Sequence, residues 1–283
     1  DKVNRIALLA RLLSGAPTRL VLRSGTTISA DLASRGTVAR WVQRHSMGKL
    51  YPYADKVLVN SWNVADDMAA YTGLPRGLIG VVPNPAVQAH LLQAEQPRPN
   101  HPWFAEGERP VILGVGELCS RKDFPTLLRA FAILRLDRDC RLDILGKGAQ
   151  RNALLALADE LGIREDVDLP GCKPDPQTYM AHAAVLAFTS LWEGNPFVLP
   201  EALAVGTPVV ATDCPGGPRE VLADGTFGAL VPLQDPQALA QAIAETLDNP
   251  LPPERLREAA RPFEIEAATD AYLREMRLPS RRG

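Results

Sequence analysis

The spacing of apolar positions switches between two periods along the whole chain, and the switches predict its elements. Residues 5–14 read as an amphipathic helix, 19–23 as a short strand, 33–50 as a helix with a basic face and 56–60 as a buried strand. Residues 64–71 then read as a helix closed by Gly73, and 79–82 as another strand. The stretch from 83 to 110 breaks the pattern with Pro and polar residues (PNP, QPRPNHPW), which predicts a hinge between domains.

Past the hinge the alternation restarts. Strands are expected at 111–115, 141–145, 167–169, 185–189, 208–212 and 229–231, with helices at 124–134, 150–161, 196–205 and 236–247. Strands alternating with helices imply parallel β-α-β units, so the fold class is α/β with two doubly wound parallel sheets. A last helix over 253–277 is long enough to cross back to the first domain. The expected partition is therefore residues 1–86, 87–109 as the hinge, 110–252, and 253–283 as the returning helix. With no initiator Met, and with about 85 residues before the hinge where a full doubly wound domain needs more, the first domain is expected to be truncated.

Composition narrows the function class. The 283 residues are 46% hydrophobic and 23% charged, ordinary values for a chain with a full core. A net charge of −2 and 6% aromatics leave neither a basic field nor a stacking platform for nucleic acid. Cys119, Cys140, Cys172 and Cys214 form no C-x-x-C pair and read as reduced thiols, which points to a cytoplasmic protein. No apolar run reaches a membrane-span length of about 18 residues. The opening segment imitates a signal peptide, but Arg11 interrupts it and no small-residue cleavage site follows.

Two segments carry candidate chemistry. In the first, Gly114-Val115-Gly116-Glu117-Leu118-Cys119-Ser120-Arg121-Lys122, a strand runs into a small-residue loop with two adjacent cations. Glycines let backbone approach a diphosphate, and Arg121 with Lys122 can neutralise it. A solvated cation pair is the competing account, since the loop has neither the third glycine of a dinucleotide fingerprint nor a Walker ending. In the second, Trp192-Glu193-Gly194-Asn195-Pro196-Phe197-Val198-Leu199-Pro200-Glu201, Pro196 suits a first helical turn. Glu193 then precedes the helix, Glu201 lies about a turn and a half inside, and the amides of Phe197 and Val198 face an anion between them. For Glu201, an acid that only complements the helix dipole is the alternative. A glycosidase pair is excluded, because eight helical residues rise about 12 Å while such pairs sit about 5–9.5 Å apart.

Together these segments resemble the large retaining glycosyltransferase family that uses a Glu-x7-Glu motif (family 4, group 1), here Glu193 to Glu201. The stretch WEGNPFVLPEALAVGTPVVATDCPGGPREVL carries the likeness most specifically, and it extends from about Arg11 to Leu247. The resemblance implies a GT-B fold, two Rossmann-like domains facing across a cleft. It implies that Glu193 holds donor-sugar hydroxyls as the catalytic residue, that Glu201 holds the ribose, and that Lys122 binds the diphosphate beside the Gly116 loop. It places backbone at Phe197 and Val198 at the phosphate, Gly194 and Asn195 among the residues that bind the donor and set its sugar, and the loop at Gly171-Cys172-Lys173 at the base. No metal or other cofactor is expected; the nucleotide-sugar is a substrate.

Two positions depart from the family pattern. Glu117 stands where the family places Arg, so Arg121 is expected to supply that cation. The first-domain loop 23–29 lacks the family's sugar-contacting His; the hydroxyls of Thr26 and Thr27 line the cleft or the loop is a plain turn. The Asp137-Arg138-Asp139 and Asp166-Val167-Asp168 patterns read as solvated surface rather than metal ligands. His45, His90, His101 and His182 show no ligand spacing, and His182 reads as a packed or capping residue. Arg35, Arg40, Trp41, Arg44, His45, Lys49 and Leu50 form a basic amphipathic stretch that suits either an anionic inner membrane face or bulk solvent.

The leading expectation is retaining, metal-independent transfer of a hexose from a UDP- or GDP-sugar to a glycan or lipid-linked acceptor hydroxyl, in cell-surface polysaccharide or lipid-linked glycan synthesis. The alternative is a non-catalytic sugar-nucleotide-binding module, favoured by the short first domain and Glu117. A nicotinamide dehydrogenase would need an acid ending the second strand of the second sheet, where Leu145-Gly146-Lys147 stands instead.

Overall fold

The computed structural model describes residues 2–33, 36–93 and 95–277. The first half opens with α1 (Lys2–Ser14), β1 (Val21–Arg23), α2 (Ile28–Ala33) and α3 (Thr37–Leu50). It continues with β2 (Lys56–Val59), α4 (Trp62–Thr72) and β3 (Ile79–Val81). The three strands pair in parallel in chain order. Ser61 caps α4 by accepting from the Val64 amide, and Gly73 closes it in the left-handed conformation that glycine adopts without a Cβ penalty. Helix α2 was not foreseen; Asp67 accepts the amides of Ile28 and Ser29 and so begins a helix where sequence pattern shows a loop.

The connecting segment is partly ordered. It forms α5 (Ala89–Gln93) and a short 3-10 turn at Pro102–Phe104. Ala86, Val87, Leu91 and Phe104 from it join the core of the second half, so the expected hinge is anchored to that half at these points.

The second half runs β4 (Val111–Val115), α6 (Phe124–Leu134), β5 (Arg141–Leu145), α7 (Arg151–Glu160), β6 (Val167–Gly171) and α8 (Pro176–His182). It ends with β7 (Val185–Phe188), α9 (Val198–Ala204), β8 (Val209–Thr212), α10 (Pro218–Val221), β9 (Ala229–Val231) and α11 (Pro236–Asp248). All six strands are parallel, in the order β6-β5-β4-β7-β8-β9. That is the doubly wound order, with its switch point between β4 and β7. Side chains alternate between two buried layers. Leu113, Leu145, Leu186 and Val209 face α8 and α9, whereas Ile112, Ile144, Val185 and Val210 face α6, α7 and α11. Burial on both faces explains why these strands read as unbroken apolar runs. Leu199, Leu203 and Val205 pack into the core as expected, but α9 starts at Val198, two residues after Pro196. Glu201 therefore sits in its first turn, and Pro200 falls where a missing N–H removes no helical bond.

The predicted returning helix over 253–277 is two helices, α12 (Pro253–Ala260) and α13 (Ile265–Met276), with residues 278–283 outside the described range. Pro262, inside the 3-10 turn Arg261–Phe263, cannot donate to a continuing helix and restricts the residue before it. α12 stays on the second half against α9. The chain then crosses at Glu264, which bridges to Val87. α13 reaches the first sheet: Arg19 donates to the carbonyls of Glu275 and Met276, and Lys56 pairs with Glu275 at 3.5 Å.

Asp235 caps α11, its Oδ1 accepting the amides of Gln237 (3.1 Å) and Ala238 (3.0 Å). Asp235→Ala is expected to destabilise the protein by about 1 kcal/mol. In urea unfolding the midpoint should fall with an unchanged slope; an unmoved midpoint would show the cap contributes nothing.

Candidate active site

The site lies in the crevice at the carboxyl ends of β4, β5 and β7, beside the switch point. A cavity of about 630 Å³ is lined by Val115, Gly116, Glu117, Gly146, Lys147, Cys172 and Lys173 among others. A second cavity of about 480 Å³ shares Val115, Gly116 and Glu117 with it. This second space is walled by Arg121, Lys122, Glu193, Gly194, Asn195, Phe197, Val198 and Glu201 on one side, and by Arg23, Gly25, Asn60 and Asn84 on the other. All ten residues singled out from sequence thus border one continuous trough, with Cys172 at its far end.

Glu193 is the centre of the charge arrangement. Its Oε1 accepts from Lys122 Nζ at 2.8 Å, from Ser190 Oγ at 3.0 Å and from Arg121 Nη1. The backbone enforces this meeting: Leu191 N donates to the Arg121 carbonyl (2.8 Å), and Thr189 Oγ1 to the Lys122 carbonyl (2.7 Å). The side chains of Lys122 and Glu193 are each 12% exposed, so neither charge is solvated well enough to stand unpaired. The Lys122 ammonium also lies over the Phe188 ring, 5.1 Å from its centroid. Arg121 therefore borders the same cavity as Lys122, while Glu117 is exposed on its rim.

Glu201 projects from the first turn of α9, where Gln177 Nε2 holds its Oε1 at 3.1 Å. Burial raises the Glu201 carboxyl above the usual range, and the Gln177 hydrogen bond only partly opposes this. The amides of Phe197 and Val198 open the same helix. Asn195 is buried and also links the two halves. Its Nδ2 donates to the Asn60 carbonyl (2.9 Å) and its own carbonyl accepts from Asn84 Nδ2 (2.7 Å), which makes it a rivet between the two halves.

The two halves also meet through the 23–29 loop. Thr26 forms an antiparallel bridge with Gly194, and Thr27 Oγ1 donates to the Glu193 carbonyl at 2.6 Å. Thr27 is a clasp on the loop that carries Glu193. A Cβ at Gly194 would overlap the Gly25 carbonyl, and one at Gly146 would overlap the Gly116 carbonyl, so both close approaches require glycine. Sequence reasoning missed Ser190, Gln177, Arg23, Asn60 and Asn84. The last two stand directly after β2 and just beyond β3, and polar residues at carboxyl ends of strands are the signal that marks them. Gln177 carries no comparable signal.

The remaining candidates sit elsewhere. Asp139 and Asp166 pair with Arg109 and Arg135, and Asp168 Oδ2 meets His101 Nε2 at 3.1 Å. His182 Nε2 contacts the Gln96 carbonyl at 2.9 Å. Asp143, in the middle of β5, is fully buried, and neither of its carboxylate oxygens has a partner among the described residues. Burial, with the neighbouring Asp168 charge, pushes its carboxyl up to about 7; Lys173 opposes this.

A family model described as glycosyl transferases group 1 matches residues 99–263. A Campylobacter jejuni N-acetylgalactosamine-N,N'-diacetylbacillosaminyl-diphospho-undecaprenol 4-alpha-N-acetylgalactosaminyltransferase is 33% identical over 92% of this chain and 67% of its own. The lipopolysaccharide core biosynthesis glycosyltransferase LpsE of Rhizobium meliloti is 36% identical over 59% of this chain; the match spans 49% of LpsE. Among solved structures, Anabaena HepE in complex with UDP superposes with a TM-score of 0.80 at 18% identity, covering 98% of this chain and 76% of HepE. The lipopolysaccharide outer core galactosyltransferase WaaB gives 0.74 at 22% identity, covering 98% and 73%. The fold is the GT-B arrangement that the resemblance implied.

The raised Asp143 carboxyl has a consequence for stability. The folded state keeps this proton up to about pH 7, whereas an unfolded Asp releases it near 3.8. Its contribution is full below the unfolded value and is lost as pH rises toward 7, at a rate approaching about 1 kcal/mol per pH unit. Asp143→Asn should flatten that part of the profile and leave the variant more stable than the unmodified chain at pH 8. Urea unfolding at pH 5, 6, 7 and 8 measures this, and parallel profiles would refute it.

Proposed function

Because the chain belongs to the glycosyl transferases group 1 family, we propose that it transfers a hexose from a UDP- or GDP-sugar to an acceptor hydroxyl with retained anomeric configuration. The acceptor is a glycan or lipid-linked glycan of a cell-surface polysaccharide pathway. The C. jejuni relative, named for a diphospho-undecaprenol acceptor, supports the acceptor class. The Anabaena neighbour, whose complexes hold UDP and UDP-glucose, supports the donor class.

The observation that carries this reading is the convergence of Arg121 and Lys122 on Glu193 inside a cavity at the switch point. Arg121 and Lys122 neutralise the diphosphate as it departs, a task that positive side chains perform without a divalent ion. Glu193 accepts donor-sugar hydroxyls through the oxygen that its three donors leave open. Glu201, with Oε1 fixed by Gln177, offers its other oxygen to the ribose hydroxyls. The base occupies the trough between Gly146 and Lys173. The acceptor hydroxyl attacks from the face the diphosphate leaves, and positioning with electrostatics lowers the barrier.

The setting we assign is cytoplasmic, with peripheral contact at an anionic inner membrane face. α3 supports it: Val38, Trp41 and Val42 are exposed on the same short helix as the exposed Arg44 and Lys49. Arg35, which the sequence adds to that face, lies outside the described residues. Among the described residues, no helix is long and apolar enough to cross a membrane.

Arg121→Ala is expected to weaken UDP-sugar binding by about tenfold or more, the scale of one charge-assisted contact. Calorimetric titration measures it, paired with a donor-turnover assay on the unmodified chain; unchanged affinity removes Arg121 from the site. For α3, co-sedimentation with phosphatidylglycerol vesicles should exceed that with phosphatidylcholine alone, and equal pelleting ends the membrane assignment.

A further inference from the structure

Three cations line the 480 Å³ cavity, and one of them differs from the other two. Arg121 and Lys122 each rest on Glu193. Arg23, the last residue of β1, faces them from the opposite wall, and among the described residues no ion pair is formed by it. Its guanidinium is nevertheless held in place. Nε donates to the Tyr272 hydroxyl at 2.7 Å and Nη2 to Asn84 Oδ1 at 2.5 Å. Asn84 is itself buried and tied to the Asn195 carbonyl, and Tyr272 belongs to α13. Both partners are neutral, so they orient the fork without cancelling its charge. Two of its five N–H donors are used, and three remain.

We propose that Arg23 makes the first-half wall of this cavity an oxyanion site, which selects an acceptor sugar carrying a phosphate or carboxylate group. This rests on the reading above that Arg121 and Lys122 take the donor diphosphate on the facing wall. A donor anchored there leaves the Arg23 side to the incoming acceptor. A planar fork with free parallel donors matches a phosphate or carboxylate bidentately. A fixed guanidinium with neutral partners has its charge available for that contact. Removing such a contact costs about ten- to a hundredfold in affinity.

The test uses the full chain saturated with UDP, so that the donor cations are occupied, and follows binding of three sugars by ligand-observed NMR titration. N-acetylglucosamine 1-phosphate, glucuronic acid and neutral N-acetylglucosamine are the probes. At least one acidic sugar should bind about tenfold tighter than the neutral one, and which one does so separates a phosphate from a carboxylate as the recognised group. Arg23→Gln should abolish the preference, and Arg23→Lys should keep part of it, as a charge without the fork. Equal binding of all three sugars to the unmodified chain overturns the proposal without any variant. So does a preference that survives Arg23→Gln, or an Arg23→Gln loss of UDP affinity as large as the loss of acidic-sugar affinity. If UDP fails to bind the unmodified chain, the donor reading falls, and the same sugar preference measured without UDP still decides the role of Arg23.

Discussion

A single carboxylate oxygen, Glu193 Oε1, accepts from Arg121, Lys122 and Ser190, and the Glu193 and Lys122 side chains are largely buried. Removing Lys122, the more buried cation, leaves the Glu193 charge only partly compensated, which costs more than losing a surface pair. The cluster therefore holds three strand ends in register: the loop after β4 that bears the cations, the loop after β7 that bears the acid, and β8 through Thr212, whose hydroxyl holds the Ser190 carbonyl. Everything else in the crevice is arranged around that fixed point.

The second constraint is the seam between the two halves. Glu193 is held on its backbone side by Thr27, and the next two residues meet the first half at Thr26, Asn60 and Asn84. Small shifts of one half against the other are thus felt directly at the acid that faces the cavity. Glycine at 194 is what permits this contact, because any side chain there would displace the Gly25 loop. The seam also carries frustration: Asn60 Oδ1 and Asn195 Oδ1 are buried without partners among the described residues. Such groups cost free energy where they are buried unpaired.

A wall with two cations on an acid and, opposite, a third cation on neutral partners divides the cavity into two electrostatic halves. On the proposed reading the first takes the leaving diphosphate and the second recognises a charge the acceptor already bears. α13 matters to both, since its Tyr272 positions Arg23 while its carboxyl end is held by Arg19 on the first half.

Local pattern was enough for the doubly wound second domain, because strands buried on both faces and helices with one apolar stripe follow from side-chain spacing alone. Strands β4, β5 and β9 and helix α6 have the limits that their apolar periodicity predicts. The segments that carry Glu193 and Glu201, and Arg121 and Lys122, could be singled out as cavity-lining candidates for a similar reason: contiguous residues carry them. What tertiary structure alone decided is whatever depends on residues far apart in the chain. Pro262 splits the expected last helix, and its second piece docks on the first sheet through contacts with Arg19, Arg23 and Lys56. Gln177 reaches Glu201, and Arg23 reaches the cavity, only because separate segments converge there. A single polar residue has no periodicity to announce its role, so its function exists only once the fold has supplied its neighbours.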